Sequence, residues 1–309
     1  MLEGFLPPIN PKLVEEIAQK LNEDPERVSN NIKLLAEWIQ YQQHLPKNYD
    51  PCILPSFLRG CKQNLDKAKK KIETFFIAKN TQLDIFGNIS PTYEEDLSSY
   101  KYMDVAIIPE LTPEGYRITI FTITNPNSSI YENFRALRYT SMLANMRTHH
   151  DIHQVAGEVI ILDARLCVPN HVSKFLCNIT RKYLDLVQTA SPLMLKQIHI
   201  ITTMGIVVKA VGIVKTFFKE KMRNRFYVWS NLDKLQDFIP LKCLPSDFGG
   251  ELKTIKEYSD GCYKYVSNCD LFEKLDEMKL LGPIPKESTI TFSNEDFGVD
   301  GSFRKLNVD

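Results

Sequence analysis

The stretch GIVVKAVGIVKTFFKEKMRNR, residues Gly205–Arg225, decides how the rest of the chain is interpreted. Its apolar residues Val207, Val211, Val214 and Phe218 recur at i, i+4, i+7 and i+11, which is the spacing of one face of an α-helix. A second apolar stripe runs beside the first and consists of Ile206, Ala210, Ile213 and Phe217. A surface helix needs only one apolar stripe, so we expect this segment to be covered on two sides or to close over an apolar cavity.

The same stretch becomes basic toward its end, through Lys215, Lys219, Lys221, Arg223 and Arg225. Cations are favoured at the C-terminus of a helix by the helix macrodipole. A buried core helix with a cationic last turn therefore explains the composition of this stretch as well as a lid does. The surrounding sequence has to decide between the two.

β-Rich runs precede and follow this stretch at Asp104–Pro109, Arg117–Ile123, Glu158–Asp163, Gln197–Thr203 and Phe226–Trp229. The run at 158–163 is almost continuously apolar, as in strands that are buried on both faces. Helical patterns at Ile130–Arg147 and Pro169–Ala190 separate the strands. Strands that alternate with helices predict an α/β/α domain with a mostly parallel sheet.

Helix-start signals mark the N-terminal part of the chain. Asn10–Pro11 and Asp24–Pro25 each place an N-cap residue before a proline at the first helical position, and Asp50–Pro51 offers a third such pair. These signals predict a helical bundle. We therefore expect an N-terminal helical domain at 1–78, a polar linker at 79–100, the α/β domain at 101–250 and a C-terminal extension at 251–309.

Composition excludes several classes of protein. The 309 residues carry 38 basic and 38 acidic side chains, and zero net charge argues against an electrostatic nucleic-acid binder. No apolar run reaches the roughly 18–20 residues of a transmembrane helix, and the N-terminus lacks the pattern of a secretory signal. The seven cysteines are scattered without CxxC spacing, which suits a reducing compartment. We predict a cytoplasmic protein without a nucleic-acid partner.

Motifs that hold phosphates or nucleophiles are absent from the sequence: it contains no GxxxxGKS/T, GxGxxG or GxSxG. The best metal candidate is the H-H-x-x-H pattern of His149, His150 and His153 with Asp151. This pattern lacks the glutamate of the zinc-protease helix and follows a helix end, where histidine is favoured anyway. The sequence therefore predicts no metal site.

Three further residues are candidates for acid–base chemistry. Asp163 closes a buried strand, His199 lies inside a β-rich run, and His171 lies at a helix start. A hydrogen-bonded structural role explains each of them, because no nucleophile or partner lies near them in sequence. We predict that the protein is not an enzyme and needs no cofactor.

Five segments, in this order and spacing, together resemble the CRAL-TRIO lipid-binding family, which includes the α-tocopherol-transfer and retinaldehyde-binding proteins. The segments are FLRGCKQNLDKAKKKI (57–72), VAGEVIILDARL (155–166), SPLMLKQIHIITT (191–203), VKTFFKEKMRNRF (214–226) and LPSDFGGE (244–251). The DPxxL…FLRGCK phrase and the LPxxFGG ending resemble the insect members in particular. The resemblance extends over residues 10–250.

The resemblance implies an N-terminal helical domain, an α/β/α domain that encloses one hydrophobic ligand, and a mobile gate helix at 206–218. It also implies that basic residues beside the gate bind a phosphoinositide headgroup. Position by position, these are Arg59, Lys221 and Arg225, with Lys196 as a substitute for a fourth. The fourth position itself carries Met194 where the tocopherol-transfer branch has lysine, and Thr216 replaces a proline in the gate. Headgroup binding and hinge mechanics are therefore expected to differ from that branch.

We predict an intracellular carrier that binds a small hydrophobic ligand and releases it at an anionic membrane surface when helix 206–218 opens. The candidate ligands are terpenoids, retinoids, carotenoids, tocopherols, sterols and phospholipids. The residues predicted to line the cavity are Ile120, Phe134, Tyr139, Met142, Ile161, Ile198, Ile200, Val207, Val211, Val214 and Phe218. Two alternatives remain open: a non-carrying interaction module with a collapsed cavity, and a lipid-modifying enzyme on the same scaffold.

Overall fold

The first two N-terminal helices begin where the sequence places their caps, in a computed structural model that describes residues 6–87 and 94–290. The third begins at Ile53 with Cys52 as its N-cap, so the predicted start at Asp50–Pro51 is wrong by two residues. The Asn10 side chain accepts a hydrogen bond from the amide of Lys12, and Asp24 accepts one from Glu26, each at 3.0 Å. Each cap precedes a proline, whose missing N–H has no partner in a first turn. Four helices follow: α1 (Pro11–Lys20), α2 (Pro25–Tyr41), α3 (Ile53–Gly60) and α4 (Leu65–Thr81).

Part of the predicted linker at 79–100 is helical. Helix α4 continues to Thr81 because Ile77 and Ala78 are buried. A 3₁₀-helix spans Glu94–Lys101, and residues 88–93 lie outside the described residues. Polar composition alone therefore placed the boundary of the linker within segments that are helical.

A sheet forms the centre of the second half of the chain. Within the described residues its strands lie in sequence order: β1 (Met103–Ile108), β2 (Tyr116–Ile123), β3 (Gly157–Asp163), β4 (Leu195–Ile201) and β5 (Phe226–Trp229). Strand β1 pairs antiparallel with β2, and the other pairs are parallel. The predicted α/β class with a mostly parallel sheet is confirmed.

Seven α-helices accompany the described strands. They are α5 (Asn133–His150), α6 (Pro169–Phe175), α7 (Asn178–Thr189), α8 (Gly205–Thr216), α9 (Glu220–Arg223), α10 (Ile255–Ser267) and α11 (Leu271–Glu277). The single helix predicted at 169–190 is two helices, because Cys177 has an extended backbone and begins α7 as its N-cap.

The two faces of the sheet have different coverings. One face, with Ile118, Ile120, Val159 and Ile161, packs against a loop-rich segment that includes Leu235, Ile239 and Phe248. The other face is covered by helices, among them α5, α7 and α8. The second face is therefore where an enclosed space can form.

The C-terminal extension contains two helices that pack against the rest of the fold. Helix α10 packs against β1, where the Ser259 hydroxyl donates to the Asp104 carboxylate at 2.9 Å and accepts from the Val105 amide at 3.2 Å. Cys262 and Val266 of α10 join the core that also contains the N-terminal helices. Residues 291–309, the end of the predicted extension, lie outside the described residues.

The N-terminal helices contact the loop between α7 and β4. A Cβ atom at Gly60 would lie 2.2 Å from the carbonyl oxygen of Pro192, so only glycine allows α3 to approach this loop so closely. The Lys71 ammonium donates to the carbonyl oxygens of Gln188 at 3.0 Å and Ser191 at 2.6 Å. The first domain is thereby positioned against the wall of the second.

Candidate functional site

A cavity of about 330 Å³ lies between the helix-covered face of the sheet and helices α5 to α8. Strands β2 to β4 contribute Phe121, Ile160, Leu162, Ile198 and Ile200 to its wall. The cavity falls within the range of about 300–1,000 Å³ that is typical of small-molecule sites. Its wall is overwhelmingly apolar, so it suits an oily molecule and is not a collapsed core.

Helix α8 closes one side of the cavity. Its inner face contributes Val207, Ala210, Val211 and Val214, and Phe218 follows just after the helix. Its outer face carries apolar side chains into solvent: Ile206, Val208 and Ile213 are 39%, 46% and 42% exposed. The apolar girdle seen in the sequence is therefore explained by a cavity on one side and open surface on the other, rather than by burial on both sides.

Six of the predicted lining residues do lie on the cavity wall: Ile198, Ile200, Val207, Val211, Val214 and Phe218. All six come from strand β4 and from the α8 stretch. Their binding of a ligand stays a prediction, but the geometry puts them in one continuous surface.

Ile120 and Ile161 do not line the cavity, so their prediction is wrong. They pair with each other in register between β2 and β3, and both face the loop-rich side of the sheet. Their neighbours Phe121, Ile160 and Leu162 face the cavity instead. Successive residues of a strand point to opposite faces, so a phase error of one residue exchanges inward and outward.

Phe134, Tyr139 and Met142 are also absent from the wall. Tyr139 and Met142 are fully buried, but they pack into the core shared with the N-terminal helices. Phe134 is only partly buried, and Arg135 and Arg138 lie over its ring. The face of α5 that lines the cavity has helical spacing and includes polar residues: Asn133, Ala136, Leu137, Thr140, Leu143, Ala144 and Arg147.

A buried charge network forms the polar part of the wall. Arg147 donates to the carboxylate of Glu158 at 2.5 Å and to Asp151 at 3.0 Å, and Arg117 donates to Asp151 at 2.7 Å. The Thr119 hydroxyl completes the set with a 2.5 Å bond to Glu158. Arg147, Glu158 and Thr119 lie on the cavity wall. One feature of the sequence could have indicated this network: Glu158 is a charged residue at the start of an otherwise apolar strand.

The pKa values of the two carboxyl groups move in opposite directions. Burial raises the pKa of Glu158 against the effect of Arg147. Burial also acts to raise the pKa of Asp151, but the guanidinium groups of Arg147 and Arg117 outweigh it and hold that pKa below its ordinary value. Since every charge in this network has an opposite partner, we interpret it as a structural feature of the wall.

The candidate acid–base residues have structural partners. Asp163 forms a paired hydrogen bond with Arg165, at 2.8 and 2.7 Å. His199 accepts from the Trp229 indole N–H at 3.0 Å and bonds Gln197 at 3.1 Å, and burial lowers its pKa to about 4. His171 accepts from the amide of Val168 at 3.1 Å. In the part of the chain that the structure describes, these residues do not form a catalytic set.

A cluster of cations lies beside the end of α8. The pKa of Lys196 is lowered by burial and then by the charges of Arg225, Lys62 and Lys221, so each of these three cations lies close enough to act on Lys196. Lys221 is exposed, whereas Arg225 is partly buried and donates to the carbonyl oxygen of Leu195. Sequence reasoning missed Lys62, although it follows the FLRGC phrase directly. We call Lys62, Lys196, Lys221 and Arg225 the basic cluster.

Arg59 is not open to a headgroup, contrary to its prediction. It is buried, and its guanidinium pairs with the carboxylate of Glu23, which also accepts from Gln63 at 3.1 Å. Glu23 follows α1 and lies far from Arg59 in sequence, so the pairing could not be seen there.

The histidine pattern that was the best metal candidate in the sequence does not come together as one group of ligands. Asp151 is held between Arg117 and Arg147, and the Nδ1 atom of His149 bonds the carbonyl oxygen of Asn145 at 2.8 Å. His149 instead approaches Asp50 and Cys52.

The described helices include none that is long and apolar enough to cross a bilayer.

Comparisons with known proteins agree with this geometry. A family profile described as "CRAL/TRIO domain" matches residues 101–250, and one described as "Pinta-like, UBA domain" matches residues 24–95. The "Alpha-tocopherol transfer protein-like" proteins of Homo sapiens and Mus musculus are each 26% identical over 254 residues, covering 80% of this chain and 72% of theirs. "Clavesin-1" of Xenopus laevis is 24% identical over 79% of this chain and 74% of its own.

Solved structures also match part of the chain. The "Crystal structure of Sfh5" aligns with a TM-score of 0.44 and 12% identity over 64% of this chain and 71% of that chain.

Proposed function

This chain belongs to the CRAL/TRIO family through residues 101–250, a family that binds and transfers lipophilic ligands, and on that premise we propose that it carries a small hydrophobic ligand between membranes. The observation that carries the proposal is the 330 Å³ apolar cavity closed by α8. Tocopherols come first among the candidate ligands because two relatives are named as tocopherol transfer protein-like. Other terpenoids, retinoids, carotenoids, sterols and phospholipids follow.

The energetics of such a cavity favour ligand capture. Burying about 400 Å² of apolar ligand surface contributes on the order of 10 kcal/mol before other terms, at roughly 25 cal/mol per Å². Lost translational freedom and ordering of side chains offset a large part of that free energy. The remainder supports binding that is tight in water and reversible beside lipid.

Release requires α8 to move, because it covers the cavity. Moving it in water exposes Val207, Val211 and Val214, whereas a membrane surface supplies an apolar medium for them. The exposed outer side chains Ile206 and Ile213 already present apolar surface to such a medium. We therefore propose that the gate opens at the membrane.

The basic cluster supports docking to anionic lipid. Each lysine or arginine near such a surface contributes up to about 1 kcal/mol. The charges of Lys62, Lys221 and Arg225 all act on Lys196, and this concentration of positive charge supports the binding of phosphate groups, including those of phosphoinositides. In this proposal Lys62 takes the place that Arg59 leaves by pairing with Glu23.

The proposal assigns no catalytic activity to the chain. Asp163, His171 and His199 have the structural partners described above, and the relatives are called alpha-tocopherol transfer protein-like or clavesin. We propose a cytoplasmic protein that associates with membranes transiently.

A transfer experiment without a preselected ligand tests this function. Dense donor vesicles made from a total lipid extract are mixed with light acceptor vesicles and purified full-length protein, and the lipids that reach the acceptors are measured by mass spectrometry. We expect the protein to accelerate transfer of one apolar lipid class. Ala210→Phe, which fills the cavity, should abolish the acceleration, and the matched change Ile206→Phe on the outer face of α8 should preserve it. Equal transfer with and without protein would refute the proposed function.

A further inference from the structure

A second possible site lies at the junction of the N-terminal helices and the α/β domain. Asp50 and Cys52 precede α3, and His149 lies in the last turn of α5. A carboxylate oxygen of Asp50, the Sγ atom of Cys52 and an imidazole nitrogen of His149 all lie within 4.8 Å of one another. None of these three residues contributes to the lipid cavity.

The hydrogen bond of His149 fixes which of its nitrogens is left to bind an ion. Its Nδ1 atom lies 2.8 Å from the carbonyl oxygen of Asn145, and a carbonyl oxygen can only accept, so Nδ1 carries the proton. A neutral imidazole has one nitrogen that donates and one that accepts. The Nε2 atom therefore presents a lone pair. A histidine held by its other nitrogen in this way is the usual arrangement of a metal ligand.

The lone pair on the Nε2 atom of His149 accepts no hydrogen bond from the described residues. His149 is 5% exposed, and its Nε2 atom is buried without a hydrogen-bond partner among the described residues. An unpaired polar atom in such a place is uncommon in native proteins and indicates a missing partner. The nearby carboxylate and thiol do not reach it directly, but all three donors are close enough to share one ion.

The charge around Asp50 is also compatible with a cation. Its carboxylate accepts from the Cys52 amide at 2.9 Å, and it forms no ion pair within the described part of the chain. The two neighbouring lysines have other partners: Lys274 lies 3.1 Å from Asp270, and Lys79 lies 3.7 Å from Asp276. The negative charge of Asp50 is therefore left for another cation.

We propose that Asp50, Cys52 and His149 bind a zinc ion. Thiolate, imidazole and carboxylate together match the ligand preference of zinc, whereas magnesium and calcium prefer sets made of oxygen alone. Zinc–ligand bonds of about 2.0–2.3 Å require the donors to move together by ~1 Å or less. Asp50 is exposed and Cys52 is partly exposed, so the fourth position is open to water.

The ion joins two parts of the fold. Asp50 and Cys52 belong to the N-terminal domain, and His149 belongs to the helix whose inner face lines the cavity. A hydrogen bond from the Ser56 hydroxyl to the Thr148 carbonyl oxygen at 2.8 Å already connects α3 and α5 there. A ligand that binds only the folded state raises stability, so zinc should stabilise this junction.

Metal titration of the tag-free full-length chain tests the site. Zinc chloride is added to metal-free protein in the calorimeter, and cobalt(II) chloride is added in the spectrophotometer. We expect one zinc per chain, a higher unfolding temperature, and a thiolate-to-cobalt charge-transfer band. Cys52→Ser should remove that band, and Asp50→Asn should weaken zinc binding by more than the ~10–100-fold that loss of an outer-shell partner costs.

A matched control separates this site from general thiol binding. Cys167 is also partly exposed, but it lies on the cavity wall away from this group, so Cys167→Ser should bind zinc and cobalt like the natural chain. Asp50→Asn changes an exposed side chain, so it reports on the site even where Cys52→Ser lowers stability. Absence of stoichiometric zinc binding, or binding that is the same in both site variants as in the natural chain, would overturn the proposal. These readouts do not depend on lipid.

Discussion

Helices α5 and α8 both line the cavity, but they are built in different ways. Helix α5 is buried on two sides, since its back face packs into the N-terminal core through Tyr139 and Met142. Helix α8 has only Val207 and Ala210 buried, and its back face carries apolar side chains into solvent. One helix is a fixed wall, and the other is a cover whose outer surface has no protein partner among the described residues.

The difference indicates where stability and function reside. Arg147 ties α5 to the sheet through a buried ion pair with Glu158, whereas the side chains of α8 form no ion pair within the described residues. Elements with few buried contacts open at lower free energy than the core. Changes on α5 should therefore lower the stability of the protein, and changes on α8 should alter ligand exchange.

The largest expected effect is on the back face of α5. Met142→Ala should lower the free energy of unfolding by about 2–5 kcal/mol, because it leaves a cavity in a core that cannot collapse fully. The matched change Val211→Ala on α8 removes a partly buried side chain beside an existing cavity, and should cost about 1 kcal/mol or less. Urea denaturation followed by circular dichroism measures both. Similar losses in the two variants would remove the distinction between wall and cover.

Acid should destabilise the sheet through His199. Its folded-state pKa of about 4 lies below the ordinary value of 6.5, so the unfolded chain binds more protons between these two values. Stability is therefore expected to fall as the pH decreases through this window, by up to about 3 kcal/mol at pH 4. Urea denaturation at pH 7, 5.5 and 4 tests this. His199→Gln should show a shallower dependence on pH, and an equal slope in both proteins would assign the effect elsewhere.

Helices α5 and α8, together with the sheet that they cover, also show what the sequence could and could not predict. Local spacing of residues can be seen directly in the sequence. It was enough to predict the caps at Asn10 and Asp24, the strands and the apolar stripes of α8. The inner faces of β2 and β3 depend on register, so Ile120 and Ile161 were assigned to the wrong side. The face of α5 that lines the cavity was also predicted wrongly. The more apolar face, with Tyr139 and Met142, packs into the core, and the face toward the cavity includes polar residues.

Contacts between distant segments set the remaining limits. The pairing of Glu23 with Arg59 and the position of Lys62 in the basic cluster join residues that no periodicity relates. The approach of Asp50 and Cys52 to His149 is of the same kind. A family resemblance transfers positions such as Arg59, but it does not show which partner a side chain has in this chain.

A smaller effect is expected on the outer face of α8. The double change Ile206→Ser and Ile213→Ser should lower binding to phosphatidylserine-containing vesicles by about 10-fold, because two apolar side chains no longer enter the interface. The free energy of unfolding should stay within about 0.5 kcal/mol of the natural value, as for other exposed positions. Vesicle sedimentation and urea denaturation give the two numbers. A loss of stability without a loss of vesicle binding would contradict the assignment of this face.

The smallest effect is expected at the basic cluster. Lys221→Ala should weaken vesicle binding by about 5-fold at low salt, which corresponds to about 1 kcal/mol, and the difference should shrink as salt is raised. Lys234→Ala serves as the control, since Lys234 is exposed beside Asp237 and lies outside the cluster. Equal losses in the two variants would show a general charge effect and would remove the docking role of the cluster.

Native mass spectrometry of the full-length chain tests the central claim most directly, namely that the space between the sheet and α8 holds an apolar molecule. The protein is measured as purified and again after exposure to vesicles made from a total lipid extract. The account predicts one retained apolar adduct per chain, and its loss in the cavity-filling variant Ala210→Phe. A chain that stays free of adducts after every exposure, or an adduct that Ala210→Phe retains in full, would contradict it.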